Sequence, residues 1–149
     1  MSYQRDSVKN ILTELRIDQT HYNKLYNSYK KCHRILLFLE FTCQSTNLAC
    51  QSTSLVTLLT VTTIPVGLIF NVIGVITGGV GIFCRHLNHR KTKLMSKNRE
   101  LLKISRHTER SIIGQCLNNE DITPEEYNLI TTLIESYYEQ KTVTEKRTK

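Results

Sequence analysis

The glycines of this chain are the first residues that could do chemistry. Gly74, Gly78, Gly79 and Gly81 crowd into the run Gly74-Val-Ile-Thr-Gly-Gly-Val-Gly81. A phosphate loop would cradle its ligand on backbone N–H groups there, but it needs Lys-Ser/Thr after its last glycine, and Val80 follows Gly79. The dinucleotide fingerprint fails at Cys84, which stands where Gly79-x-Gly81-x-x requires a small glycine-type residue. Inside an apolar stretch, Gly74-x-x-x-Gly78 has a different use: missing side chains let two helix backbones approach closely. Gly67, Asn71, Gly74, Gly78 and Gly81 share one helical stripe, which predicts a helix–helix contact face against a neighbouring arm or another subunit.

The remaining candidates for chemistry fail at named positions. Cys84, His86 and His89 fall at i, i+2 and i+5 of a helix, which scatters them round its circumference, so no metal site is expected. The run Gln115–Glu126 matches the second half of a calcium loop. In its first half, however, Gln115, Leu117 and Glu120 replace acid, acid and glycine. Glu40 is the one carboxylate beside the apolar stretch, where a headgroup-zone residue is the stronger reading than a proton site. The five His are dispersed, and the many Ser and Thr carry no nucleophile motif. No catalytic residue and no cofactor is expected, and the chain reads as a non-enzyme.

The elements that would position these residues follow from the charge pattern. A chain of 149 residues is sized for one domain. From Phe41 through Cys84 there is no Asp, Glu, Lys or Arg. As one straight helix that stretch would run about 66 Å, twice a bilayer's hydrocarbon thickness, so two crossings fit better than one. It divides at Thr62-Thr63-Ile64-Pro65-Val66-Gly67, because Pro disfavours helix at the residue before it and Gly67 tolerates a turn. The resulting arms, 46–63 and 66–84, hold 18 and 19 residues, each close to one hydrocarbon thickness as helix. The first arm is Thr-rich. Trp is absent, and the seven Tyr lie away from the stretch, so no Trp/Tyr interfacial belt is expected. The five cysteines are odd in number and form no CxxC pair, which points to a reducing compartment, and Met1–Asn10 has no apolar signal region.

Before the apolar stretch, residues 5–45 carry a seven-residue pattern. Val8, Ile11, Leu15, Tyr22, Leu25, Tyr29, Leu36 and Leu39 form the seam of a coiled-coil helix, continued by Cys32 and Cys43 and interrupted by Asp18. After it, residues 85–117 predict a second long helix that is strongly basic, with nine Lys/Arg against two Glu over 85–110. Thr123-Pro124-Glu125-Glu126 then reads as an N-cap, a helix-starting Pro and the Glu of a capping box, opening a helix over 124–141. The residues from Thr142 onward are expected to fray. The expected fold is therefore all-α: a long antiparallel coiled-coil hairpin with an apolar helical-hairpin tip and a short C-terminal helix.

Basic residues flank the apolar stretch on both sides, with Lys30, Lys31 and Arg34 before it and the basic helix after it. The positive-inside rule then puts both flanks, and both termini, on the cytosolic side, which only an even number of crossings allows. Arg85, Arg90, Lys91, Lys93 and Lys97 are the expected contacts for anionic headgroups. Nucleic acid is the weaker partner for this basic run. The order of elements and the run Gly114-Gln-Cys-Leu-Asn-Asn-Glu-Asp-Ile-Thr-Pro-Glu-Glu-Tyr127 resemble a loose set of uncharacterised, multi-copy animal proteins associated with mobile elements. Leu117-Asn118, Ile122-Thr123 and Glu125-Glu126-Tyr127 carry the likeness, while Glu120 replaces a glycine of that pattern. The resemblance spans residues 50–141 and implies a mobile-element or virus-derived origin, with no activity to transfer.

These readings lead to one expectation. The chain is a non-enzymatic, membrane-inserted helical hairpin, with a lipid bilayer as partner and cytosolic helices that form a homo-oligomer or recruit a helical protein. Two alternatives are a soluble helical assembly protein that buries the apolar hairpin between subunits, and a protein that perturbs membranes conditionally.

Overall fold

A computed structural model of the chain describes residues 2–59, 64–116 and 122–146. Among these residues there are three helices and no strand: α1 (Ser2–Leu59), α2 (Ile64–Cys116) and α3 (Pro124–Lys146). The chain is all-α, and α1 and α2 pack against each other. Helix α1 runs without a break through the boundary expected at residue 45, because no Gly or Pro lies between its ends. In the same way α2 joins the 66–84 arm to the basic helix as one element. Its first residue is Ile64, so Pro65 sits in the opening turn, where a missing N–H costs no hydrogen bond. Thr62 and Thr63 of the expected turn, the expected break at Leu117–Asn119 and the tail at 147–149 lie outside the described residues.

Long-range contacts divide the chain into two compact units: Met1–Tyr29 with Lys93–Lys149, and Lys30–Thr92. The first unit has a hydrophobic core. Val8 and Leu15 of α1, Ile112 of α2, and Ile130 and Tyr137 of α3 form one buried cluster, and Tyr22, Leu101 and Leu102 form a second. Between α1 and α2, Ser105 is fully buried and its hydroxyl donates to the carbonyl of Leu15 at 3.2 Å. A small side chain there lets the two backbones approach, and its one polar group is satisfied.

Helix α3 begins as its sequence predicts. The Glu126 carboxylate accepts the Thr123 N–H at 2.8 Å, and the Glu126 N–H donates to the Thr123 hydroxyl at 3.2 Å, closing the capping box. Thr123→Ala should therefore cost about 1 kcal/mol. The measurement is thermal unfolding of the full chain, and an unchanged midpoint would refute the role of the cap. The end of α3 differs from expectation: it reaches Lys146 instead of fraying from Thr142. Thr144 is buried, and Lys97 donates to the Glu145 carbonyl at 3.0 Å, so tertiary contacts hold the last turn.

Asp18, which interrupts the apolar seam, is what α3 docks on. Its Oδ2 accepts the Tyr137 hydroxyl at 2.6 Å and the Lys141 ammonium at 2.7 Å. The same ammonium lies 5.7 to 5.9 Å from the ring centres of Tyr22, Tyr137 and Tyr138, within cation–π range. Nearby, Glu109 accepts from Arg16 at 2.8 Å and from Gln19 at 2.7 Å.

Candidate functional site

The second unit is built the other way round from the first. Its two helix segments put small and polar residues between them and apolar residues outside. Seven-residue spacing organises the interior. Ser54 donates to Asn71 Oδ1 at 2.9 Å; seven residues earlier on α1 and seven later on α2, Asn47 lies against Gly78. One heptad further, Arg85 Nε pairs with Glu40 at 3.2 Å, and one further still, Thr92 Oγ1 lies 3.4 Å from His33 Nδ1. The Asn88 amide oxygen also hydrogen-bonds that His33 nitrogen. Four rungs, three of them polar pairs and one Asn47 against Gly78, stand about 10 Å apart along the axis and thus set one antiparallel register.

The glycine stripe lies along this interior. A Cβ on Gly74 would stand 3.2 Å from Asn47 Oδ1 and 3.5 Å from Cys50 Cβ, and one on Gly78 would stand 3.0 Å from Asn47 Nδ2. At Gly81 it would meet Cys43 Cβ at 3.5 Å. Gly67 is buried, and Asn71, at the exposed edge of the stripe, accepts from Ser54. Gly79, outside the stripe, faces open space. The structure thus brings Gly74, Gly78 and Gly81 against α1 of the same chain.

The α1 seam takes two forms. Val8, Leu15, Tyr22 and Leu36 are buried, and Ile11, Leu25 and Tyr29 are half-buried. Leu39 is 43% exposed and leaves the seam. A straight α-helix drifts about 20° per heptad against a seven-residue repeat. The inner line therefore moves one position on, from Leu39 to Glu40, and Asn47 and Ser54 continue it. Sequence reasoning on the apolar seam missed this second line, which carries every polar rung. Its signal was nevertheless present, as polar residues at Gln19, His33, Glu40, Asn47 and Ser54, all in one heptad position.

The outside is largely apolar along α2 and mixed along α1. Among the described residues of the second unit, eighteen large hydrophobic residues are exposed, including Phe38 at 71%, Phe41 at 70%, Val75 at 76% and Ile82 at 73%. Among the described residues one helix, α2, is long and apolar enough to cross a membrane, and only 17% of its most apolar window is buried within the protein. A helix that serves as a soluble core is mostly buried. The first arm does not reach that apolarity. It presents Thr46, Gln51, Ser52 and Thr53 outward, although the hydroxyls of Thr46, Ser52 and Thr53 donate back to helix carbonyls at 2.9 Å.

The five basic residues expected at headgroups divide between the units. Arg85 and Arg90 are exposed and Lys91 is half-buried in the second, while Lys93 and Lys97 belong to the first, where Lys97 is engaged by α3. Cys84 is buried while His86 and His89 are exposed, so these three do not converge. Among the described residues no group of three His, Cys, Asp or Glu could hold a metal ion.

The Asp18 site of the first unit is a cluster of titratable groups. Burial pushes the Asp18 carboxyl up, but hydrogen bonds from Lys141 and Tyr137 outweigh it and hold the group below its usual range. Burial works against the Lys141 charge, and its bonds to Asp18 and Tyr22 overcome that and raise it. Burial, then the Asp18 carboxylate, drives the Tyr137 phenol far upward. Each group is driven away from neutral pH, the reverse of what an acid–base catalyst needs. No family model, curated protein or solved structure matches the chain.

Proposed function

We propose that the chain is a non-enzymatic, membrane-inserted helical hairpin, with its remaining helices in the cytosol free to self-associate or to recruit a helical partner. The observation that carries this reading is the inverted second unit, in which polar and small residues face inward and large apolar residues face outward. In lipid there is no hydrophobic gain from helix contact. Close backbone packing and interhelical hydrogen bonds hold helices together instead, and polar side chains turn toward each other. Dimensions agree with it. From Glu40 to Leu59 and from Ile64 to Arg85 each segment is about 30 Å long as helix, one hydrocarbon thickness. The pairing of Glu40 with Arg85 brackets the uncharged stretch at a single level. Basic flanks on both sides support a cytosolic location for both termini.

The test is fractionation of cells expressing the full chain, tagged at either end. The protein should stay in the membrane pellet after alkaline carbonate, and both tags should be cleaved by protease added from the cytosolic side. Release by carbonate would overturn the reading. One observation favours a second: Thr46, Gln51 and Ser52 are exposed on the first arm, where a lipid-facing surface would be apolar. A soluble helical assembly that buries both arms between subunits would tolerate them. A detergent-free oligomer of fixed size would support it.

A further inference from the structure

Two helices of the second unit repeat one order of side chains where the apolar exterior ends. On α1, Phe41 and Phe38 are followed toward the N-terminus by Arg34 and then Lys31. Spacings of three and four place these four broadly on one face, and all four are exposed. On α2, Phe83 is followed by His86 and Arg90, again at i, i+3 and i+7 of one exposed face. In both helices the aromatic rings lie toward the uncharged stretch, on α2 one turn from exposed Val80, and the cations lie beyond them. Acid is nearly absent. Between Lys30 and Thr92 the one carboxylate is Glu40, and its side chain is 13% exposed and paired with Arg85.

We infer that the base of the hairpin is a binding site for anionic phospholipid headgroups, with Lys31, Arg34 and Arg90 contacting phosphate and Phe38, Phe41 and Phe83 entering the acyl boundary. The inference rests on the membrane reading and names the lipid class which that reading leaves open. Cations beside an anionic leaflet gain attraction that falls off within a Debye length, so the site must sit at the headgroup level to act. The phenylalanines provide that placement, and they stand where Trp or Tyr are absent. They also separate this site from a nucleic-acid groove, in which aromatic rings alternate with cations to stack on bases. Here rings and cations are segregated along each helix.

The experiment uses the purified full chain and flotation with two kinds of vesicle, phosphatidylcholine alone and phosphatidylcholine with phosphatidylserine. Partitioning should rise at least about tenfold with phosphatidylserine, and the gain should fall steeply with added salt. The triple variant Lys31→Gln, Arg34→Gln, Arg90→Gln should keep its association with phosphatidylcholine and lose most of the gain. These side chains are exposed, and circular dichroism should confirm unchanged helix content. A second variant, Phe38→Ser with Phe41→Ser, should weaken association with both vesicles to a similar extent. Equal partitioning of the native chain into both vesicles would overturn the headgroup site and leave the hairpin standing. So would a triple variant that keeps the full gain, or one that loses affinity for duplex DNA while its lipid preference persists. Failure to associate with either vesicle would overturn the membrane reading and this inference with it.

Discussion

Replacing Asp18 with leucine should loosen α3 from the first unit and destabilise that unit by about 2–3 kcal/mol. The carboxylate accepts two short bonds, from Tyr137 and Lys141, and Lys141 in turn lies over three tyrosine rings. Leucine keeps the volume but leaves an ammonium and a phenol facing it without their acceptor. A fully buried pair would cost more to break. Asp18 and Lys141 are 29% and 22% exposed, so water compensates part of the loss. The readout is amide hydrogen exchange along α3, which should accelerate from Tyr137 onward while the capping-box end changes less. Uniform protection along α3 in the variant would refute the role given to Asp18. A double-mutant cycle with Lys141→Met should show coupling, since both changes remove the same bond.

The same carboxylate predicts a pH dependence of definite sign. Asp18 is held below its ordinary value of 3.8 and Glu109 below its ordinary 4.5, the latter by hydrogen bonds from Arg16 and Gln19. The unfolded chain therefore binds protons at higher pH than the folded one. The stability contributed is complete above the unfolded values, near pH 4, and is lost as pH falls through the lowered folded values. Denaturant midpoints measured downward from pH 6 should stay flat and then drop below about pH 4. Asp18→Asn should flatten part of that drop. A native chain with no acid-side decline would contradict the geometry of this site.

Asp18 also illustrates what could be read from the sequence and what could not. The helices were legible because their signals are local: no Gly or Pro in α1, heptads of apolar residues, and Thr123 with Glu126 as a box. The contact face of Gly74, Gly78 and Gly81 was legible because small residues in an apolar helix have few other uses. Asp18 looked like a fault in the seam, since its partners lie on α3, more than a hundred residues away in the chain, and no spacing rule links them. That Glu40, Asn47 and Ser54 share one inner line was missed for a different reason. A seven-residue pattern tests for apolar residues, and this line is polar because it runs through an interior whose exterior is apolar. The end of α3 was misjudged because Thr142–Lys146 has weak intrinsic preference for helix, and packing of Thr144 decided it.

That polar line leads to the expected result of filling the glycine face. Gly78→Leu should split the hairpin of the second unit, because even a Cβ there would lie 3.0 Å from Asn47 Nδ2, before the rest of the leucine is counted. Gly74→Leu should do the same against Asn47 and the Cys50 Cβ. The terminal amide of Asn47 can give way by a few tenths of an ångström, so Gly78→Ala should be tolerated, and the graded series is itself a test. Gly79→Leu is the control: nothing lies within 4 Å of its Cβ position, and replacing a mid-helix glycine removes a propensity penalty of about 1 kcal/mol. Cys50 provides the readout. It is 7% exposed beside Gly74, so its thiol should react slowly with a small alkylating reagent in the native chain. The reaction should accelerate about tenfold or more in Gly74→Leu and Gly78→Leu if segment separation exposes it. The rate should stay native in Gly79→Leu. Equal rates in all three variants would mean that the two arms are not held by this face, and the register set by Ser54, Asn47, Glu40 and His33 would lose its physical basis.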